Sequence, residues 1–259
     1  MSVQQQATPR RQPPSLKGTL VPADTRSGQP WWVQPLLVVV VLSLFGVYSI
    51  VVSLQGHNNG FFQNYLSPFY SPQVPFGGRF APLFVLWVPL GFRATCYYYR
   101  KAYYRSFFWD PPACVRPEGR GGRYSGVRRL PFILNNFHRY FLYLSIIVIV
   151  ILWIDAIKGF AFGGHFGIGL GSILLLGNVV LLSFYTFSCH SFRHLVGGGT
   201  ACFSCTLGGN VQHGFWRAIS VINERHPLYA WLSLTSLFVV DVYIRLLLAG
   251  AIVDPRWVS

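Results

Sequence analysis

"YLSIIVIVILWI", residues 143–154, is a run of twelve residues without a charge. It sits inside a mostly apolar stretch at about 132–157. A helix needs about 20 apolar residues to cross a bilayer, and this stretch is long enough. Four further stretches behave alike: 33–54, 80–99, about 166–188 and about 228–251. The second contains Pro82 and Pro89. Prolines are tolerated in such a helix when neighbouring helices satisfy the freed backbone groups. The expected fold is therefore an all-α integral membrane protein with five transmembrane helices in one bundle.

Composition agrees. Of 259 residues, 52% are hydrophobic and only 11% charged. A soluble domain carries about 25% charge. Residues 1–30 are rich in Gln, Pro, Ser and Thr and hold Arg10, Arg11, Lys17 and Arg26. They offer little to pack and read as a disordered cytoplasmic tail, with 31–259 as the membrane domain. The basic part runs into prolines and polar residues rather than an apolar run, which excludes a signal peptide.

The net charge of +14 is distributed unevenly. The tail has four Lys and Arg, the 55–79 connection one, and the 100–131 connection eight. The turn at 158–165 has Lys158 alone, the 191–227 connection has Arg193, Arg217 and Arg225, and the C-terminus has Arg256. The count alternates high and low. By the positive-inside rule the N-terminus is then cytoplasmic and the C-terminus outside. Membrane lipid, not nucleic acid, is the partner this charge expects.

Three of the five cysteines crowd into "SFYTFSCHSFRHLVGGGTACFSCTLGG", residues 183–209. They are Cys189, Cys202 and Cys205, and His190 and His194 lie among them. On a continuing helix His190 and His194 share a face. Gly197, Gly198 and Gly199 then allow the chain to reverse. Cys202 and Cys205 form a C-x2-C pair. The segment is expected in the cytoplasm, where thiols stay reduced. Two His and two Cys satisfy a tetrahedral zinc ion or a Rieske-type two-iron cluster. Cys189 is the alternative ligand, and Cys96 and Cys114 lie on the same side. Ordinary buried cysteines beside surface histidines are the plain alternative. Haem b is a further candidate through His138 and His226, which start helices on the same side. A two-haem arrangement lacks ligands, because the outer side offers only His57 and His165.

Asp155, Asp241 and Arg245 fall within helices, where ionisable groups are costly and normally paired. Asp241 and Arg245 are four apart on one face, and Asp155 is expected to join them. Such a triad reads either as a structural ion pair or as a proton path.

The segment "GFRATCYYYRKAYYRSFFWDPPACV", Gly91 to Val115, resembles the membrane-anchor subunit of succinate dehydrogenase (respiratory complex II, SdhC type) of mycobacteria and other actinobacteria. The helix count and the cytoplasmic cluster agree with that resemblance. It implies a multi-pass plasma-membrane anchor that does not itself oxidise succinate. It also implies partners, a flavoprotein subunit and an iron–sulfur subunit, in a higher oligomer of the complex. Electrons would pass to a quinone, menaquinone or ubiquinone. Many family members hold haem b, but this branch is expected to use a Rieske-type 2Fe–2S cluster, with ligands among His190, His194, Cys202, Cys205 and Cys189. The arginine-rich loop at 100–131 would dock a partner or meet lipid head groups.

A quinone that takes electrons from such a cluster must lie at the cytoplasmic interface. Its carbonyls need donors and its ring an apolar slot. The expected donors are His138, Arg139 and His226, with the Trp231 indole beside them. Two rival readings remain: a membrane scaffold with a structural zinc site, and a small transporter using Asp155, Asp241 and Arg245.

Overall fold

The computed structural model describes residues 30, 32–55, 60–74, 76–108 and 136–258. The expected tail, most of the 100–131 loop with Cys114, and His57 lie outside the described residues.

Four helices are long and apolar enough to cross a membrane: α1 (Val33–Gln55), α4 (His138–Lys158), α5 (Leu170–Phe187) and α8 (His226–Leu248). The second apolar stretch differs from expectation. It forms α2 (Leu83–Thr95) and α3 (Tyr97–Phe107), broken at Cys96, whose backbone is extended (φ −60, ψ 131). Thr95 precedes the break and turns its hydroxyl back onto the Gly91 carbonyl at 2.7 Å. Such back-bonding bends helices. The break holds the Cys96 side chain in the bundle interior at 2% exposure.

Two helices follow α5 in place of a plain connection. α6 (His190–Arg193) runs into a π-helical turn at His194–Gly198, and α7 (Gly209–Glu224) is a full helix. Short β elements close the opposite end. β1 (Phe61–Phe62) and β2 (Tyr65–Leu66) form a hairpin. β3 (Ala161–Phe162), β4 (His165–Gly169) and β5 (Arg256–Val258) form a three-stranded antiparallel sheet. Gly163 and Gly164 turn the β3–β4 hairpin with φ of 60° and 90°, backbone that other residues adopt only under strain. The chain is thus mainly, not wholly, helical.

Helix direction defines two ends. α4 and α8 begin, and α2 and α5 finish, at the end that carries α3, α6 and α7. The hairpin, the sheet and the C-terminal residues occupy the other. One apolar core joins α4, α5 and α8 through Ile149, Leu152, Leu175, Val179, Val240 and Ile244. The outer surface is apolar too: Leu44, Val47 and Ile50 of α1 are 66%, 62% and 61% exposed. That is what a lipid-facing helix requires. Gly91 lets α2 approach α4, since a Cβ there would lie 2.1 Å from the Phe141 ring.

The sheet end is pinned by charges. Asp241, fully buried, accepts from Arg245 Nε at 2.6 Å and from the Tyr48 and Ser67 hydroxyls. Arg245 also reaches the Tyr70 hydroxyl at 3.1 Å and Gln55 Oε1 at 2.5 Å. Asp155 does not join this pair. It accepts from Ser71 at 2.5 Å and meets Lys158 at 3.9 Å. Asp254 ties the C-terminal segment down by accepting from Tyr65 and Tyr243, each at 2.6 Å. Burial and then this carboxylate push the Tyr65 phenol up to about 12, so it stays a donor.

Candidate functional site: a buried cysteine–histidine cluster

At the end opposite the sheet, four ligand-type side chains enter one packed core. Cys96 comes from the α2–α3 break, His138 from the start of α4, Cys189 from the end of α5, and His226 from the start of α8. All four are buried, at 2%, 7%, 1% and 7% exposure. Cys96 and Cys189 share an apolar cluster with Phe92, Tyr99, Leu142, Tyr185 and Ala230.

Each member has a fixed orientation. His226 Nε2 lies 3.3 Å from the Cys96 sulfur, and its Nδ1 is 2.8 Å from the Ser188 hydroxyl. His138 Nδ1 is 3.0 Å from the Thr95 hydroxyl. The His138 ring stacks on Phe92 with centroids 4.6 Å apart, and His226 stacks on Tyr185 at 5.1 Å. The Cys189 sulfur accepts the Phe192 N–H at 3.2 Å, capping α6. Burial pushes the Cys189 thiol up to about 12, and the Cys96 sulfur is near enough to add to that rise. Arg93 crosses the same core. It donates to the Tyr99 hydroxyl at 2.7 Å, to Ser233 at 3.0 Å and to the Ala230 carbonyl at 3.2 Å.

The ligands expected from the 183–209 segment are placed differently. Cys202 and Cys205 are joined in a disulfide with Cα atoms 5.4 Å apart, so neither offers a thiolate. His190 and His194 are exposed, and the His194 N–H bonds the His190 carbonyl one helical turn back, so they share an exposed face. Cys189 points away from both, into the bundle. Among the described residues no group of three or more His, Cys, Asp or Glu is arranged to hold a single metal ion.

The expected quinone donors do not converge either. His138 and His226 belong to the buried cluster. Arg139 is exposed, 5.4 Å from the Tyr140 ring. Trp231 gives its N–H to the Tyr98 hydroxyl at 2.8 Å and lines a separate cleft with Tyr98, Lys101 and Arg105. One signal would have linked the four buried residues. In helices of alternating direction, the end of the second, the start of the third, the end of the fourth and the start of the fifth fall on the same side.

The sequence matches the family described as actinobacterial succinate dehydrogenase subunit SdhC over residues 33–250. The chain belongs to that family. Among solved structures it is similar to a chain of the Mycobacterium smegmatis Sdh1 complex in the apo form. The two are 37% identical, with a TM-score of 0.80, over 95% of this chain and 98% of that one. A search of curated proteins found no match. This SdhC-family chain is a subunit of succinate dehydrogenase, an oxidoreductase, and its apolar helices make it a multi-pass anchor of the plasma membrane. Its partners are the flavoprotein and iron–sulfur subunits of the complex.

Proposed function

We propose that this anchor carries electrons from the iron–sulfur subunit toward a membrane quinone through a Rieske-type two-iron, two-sulfur centre held by Cys96, Cys189, His138 and His226. The observation that carries the reading is the donor set: two thiols and two imidazoles from separate helix ends, all buried in one cluster. That is the ligand set of a Rieske-type centre. A single zinc ion would need its donors around one point at about 2.0–2.3 Å. The described residues hold no such group, whereas a two-iron centre is gripped two and two. Haem b would need its face between imidazoles. Here each imidazole stacks instead on an aromatic ring of the chain.

When bound, the centre supplies one-electron transfer inside the protein. The chain's own residues do the positioning. Ser188 and Thr95 engage the Nδ1 atoms of His226 and His138, so each ring would present its Nε2 to the centre. Burial keeps Cys189 protonated, and it would have to give up that proton to hold the centre. The Phe92, Tyr99 and Tyr185 rings exclude water from the core.

The topology we propose has five crossings. α2 has 13 residues, or about 20 Å, which is short of the roughly 30 Å hydrocarbon core. The turn at Gly78–Phe80 leads into α2 from the opposite end, and the crossing finishes at the Cys96 break. The N-terminus and the cluster end are then cytoplasmic, facing the partner subunits. α7 supports this placement, since its Val211, Phe215 and Val221 are 65%, 63% and 66% exposed and offer an uncovered apolar face there.

Iron analysis with EPR on the purified complex tests the ligand set. Cys96→Ser and Cys189→Ser remove the anchor's iron signal, while Cys202→Ser and Cys205→Ser retain it. The reverse pattern would reinstate the C-x2-C pair and overturn the proposal.

A further inference from the structure

Arg93 carries a positive charge into the bundle, and its partners among the described residues are all neutral. It stands on α2, one turn before Cys96. Its guanidinium donates to the Tyr99 and Ser233 hydroxyls and to the Ala230 carbonyl. It also lies 4.5 Å from the centre of the Tyr185 ring and 5.5 Å from that of Tyr99. Among the described residues no carboxylate pairs with it, whereas Arg245 at the far end is paired with Asp241. Arginine keeps its charge even where burial is costly. A charge left without an opposite partner inside a helix bundle is expensive and marks function.

This charge sits beside the proposed ligands. The Tyr185 ring that Arg93 overlies also stacks on His226, with centroids 5.1 Å apart. The Ala230 carbonyl that Arg93 bonds is one helical turn past His226 on α8. Phe92, Tyr99 and Tyr185 pack with Cys96 and Cys189 in the same core, so little water intervenes to weaken the field. Arg139 and Arg225 adjoin His138 and His226 in sequence, but both are exposed, where salt screens them.

We propose that Arg93 is the buried counter-charge of the reduced two-iron centre and sets the potential at which that centre accepts an electron. The proposal rests on the two-iron reading above. Two ferric ions, two sulfides and two thiolates sum to zero, and neutral imidazoles add nothing. One electron from the iron–sulfur subunit turns one ferric ion ferrous and leaves the centre with a single negative charge. The same electron then departs toward the quinone, and Arg93 neither gains nor loses a proton. A fixed cation favours the reduced form over the neutral oxidised one. At about 10 Å and an effective dielectric of about 20, one unit charge moves such an equilibrium roughly tenfold.

The test is a redox titration of the intact purified complex, followed by EPR of the anchor's iron. Arg93→Gln removes the charge and is expected to lower the reduced-to-oxidised ratio at a given potential about tenfold, a fall of about 59 mV in midpoint. Arg93→Lys changes the hydrogen bonds but keeps the charge, and it retains the parent midpoint. Ser233→Asp leaves Arg93 in place, sets a carboxylate beside it and lowers the midpoint as Arg93→Gln does, while Ser233→Asn does not. If Arg93→Gln fails to assemble, the two Ser233 variants decide. A midpoint unmoved in Arg93→Gln or Ser233→Asp, or one that falls as far in Arg93→Lys, overturns the proposal and leaves the two-iron reading intact. A parent complex with no anchor iron signal refutes that reading, and this proposal with it.

Discussion

The four proposed ligands differ from the surface cysteines by burial and by orientation. Thr95 shows how much depends on one hydroxyl. It bends α2 by bonding to the Gly91 carbonyl and also engages His138 Nδ1. Thr95→Val keeps the shape and removes both contacts. Partners of ligating histidines are worth about 10–100-fold in metal affinity. Iron retained by the variant complex against a graded chelator is therefore expected to fall by that factor, and unchanged retention would show that Thr95 does not orient a ligand. The sequence made the residue types visible but not their grouping. Cys202 and Cys205 drew attention because they are close in the chain, and C-x2-C needs no folding to be seen. Cys96, His138, Cys189 and His226 are separated by dozens of residues, and only the helix directions bring them together.

At the scale of elements, the long apolar helices were legible because lipid exposure demands uninterrupted hydrophobicity, and a window of sequence reports that directly. The α2–α3 break was not, because no Pro or Gly stands at 96 and the bend comes from a side-chain contact. α7 was hidden in the same way: its mixed faces carry no bilayer-length apolar run. The Asp241–Arg245 pair was readable from its i,i+4 spacing, but Asp155 joined Ser71 and Lys158 instead, since hairpin residues distant in sequence fill the space around Asp241. Asp241→Ala would leave Arg245 without its ion partner inside the helix bundle. Breaking a buried pair costs about 3–5 kcal/mol, so the detergent-solubilised complex should lose thermal stability while its iron content stays at the parent level. Loss of iron in this variant would mean that the two ends of the bundle are coupled. Gly91→Leu is the matching steric test: its side chain would collide with Phe141 and force α2 from α4. Cys96 then loses its place, and the anchor iron is expected to fall with it.

In the whole molecule, the end proposed to hold the centre lies opposite the end pinned by Asp241 and Asp254. The proposed orientation rests on the charge count and is directly testable. Lys101→Cys should react with an impermeant thiol reagent only after cells are opened, and His165→Cys should react in intact cells. The opposite pattern would invert the chain and move the cluster away from the partner subunits. The nature of the proposed centre is itself measurable. Pulsed EPR on the reduced complex, prepared with and without 15N-histidine, measures it most directly. The account predicts nitrogen couplings from two imidazoles that change with the isotope and vanish in His138→Ser and His226→Ser. An iron–sulfur spectrum without any histidine nitrogen coupling would contradict it.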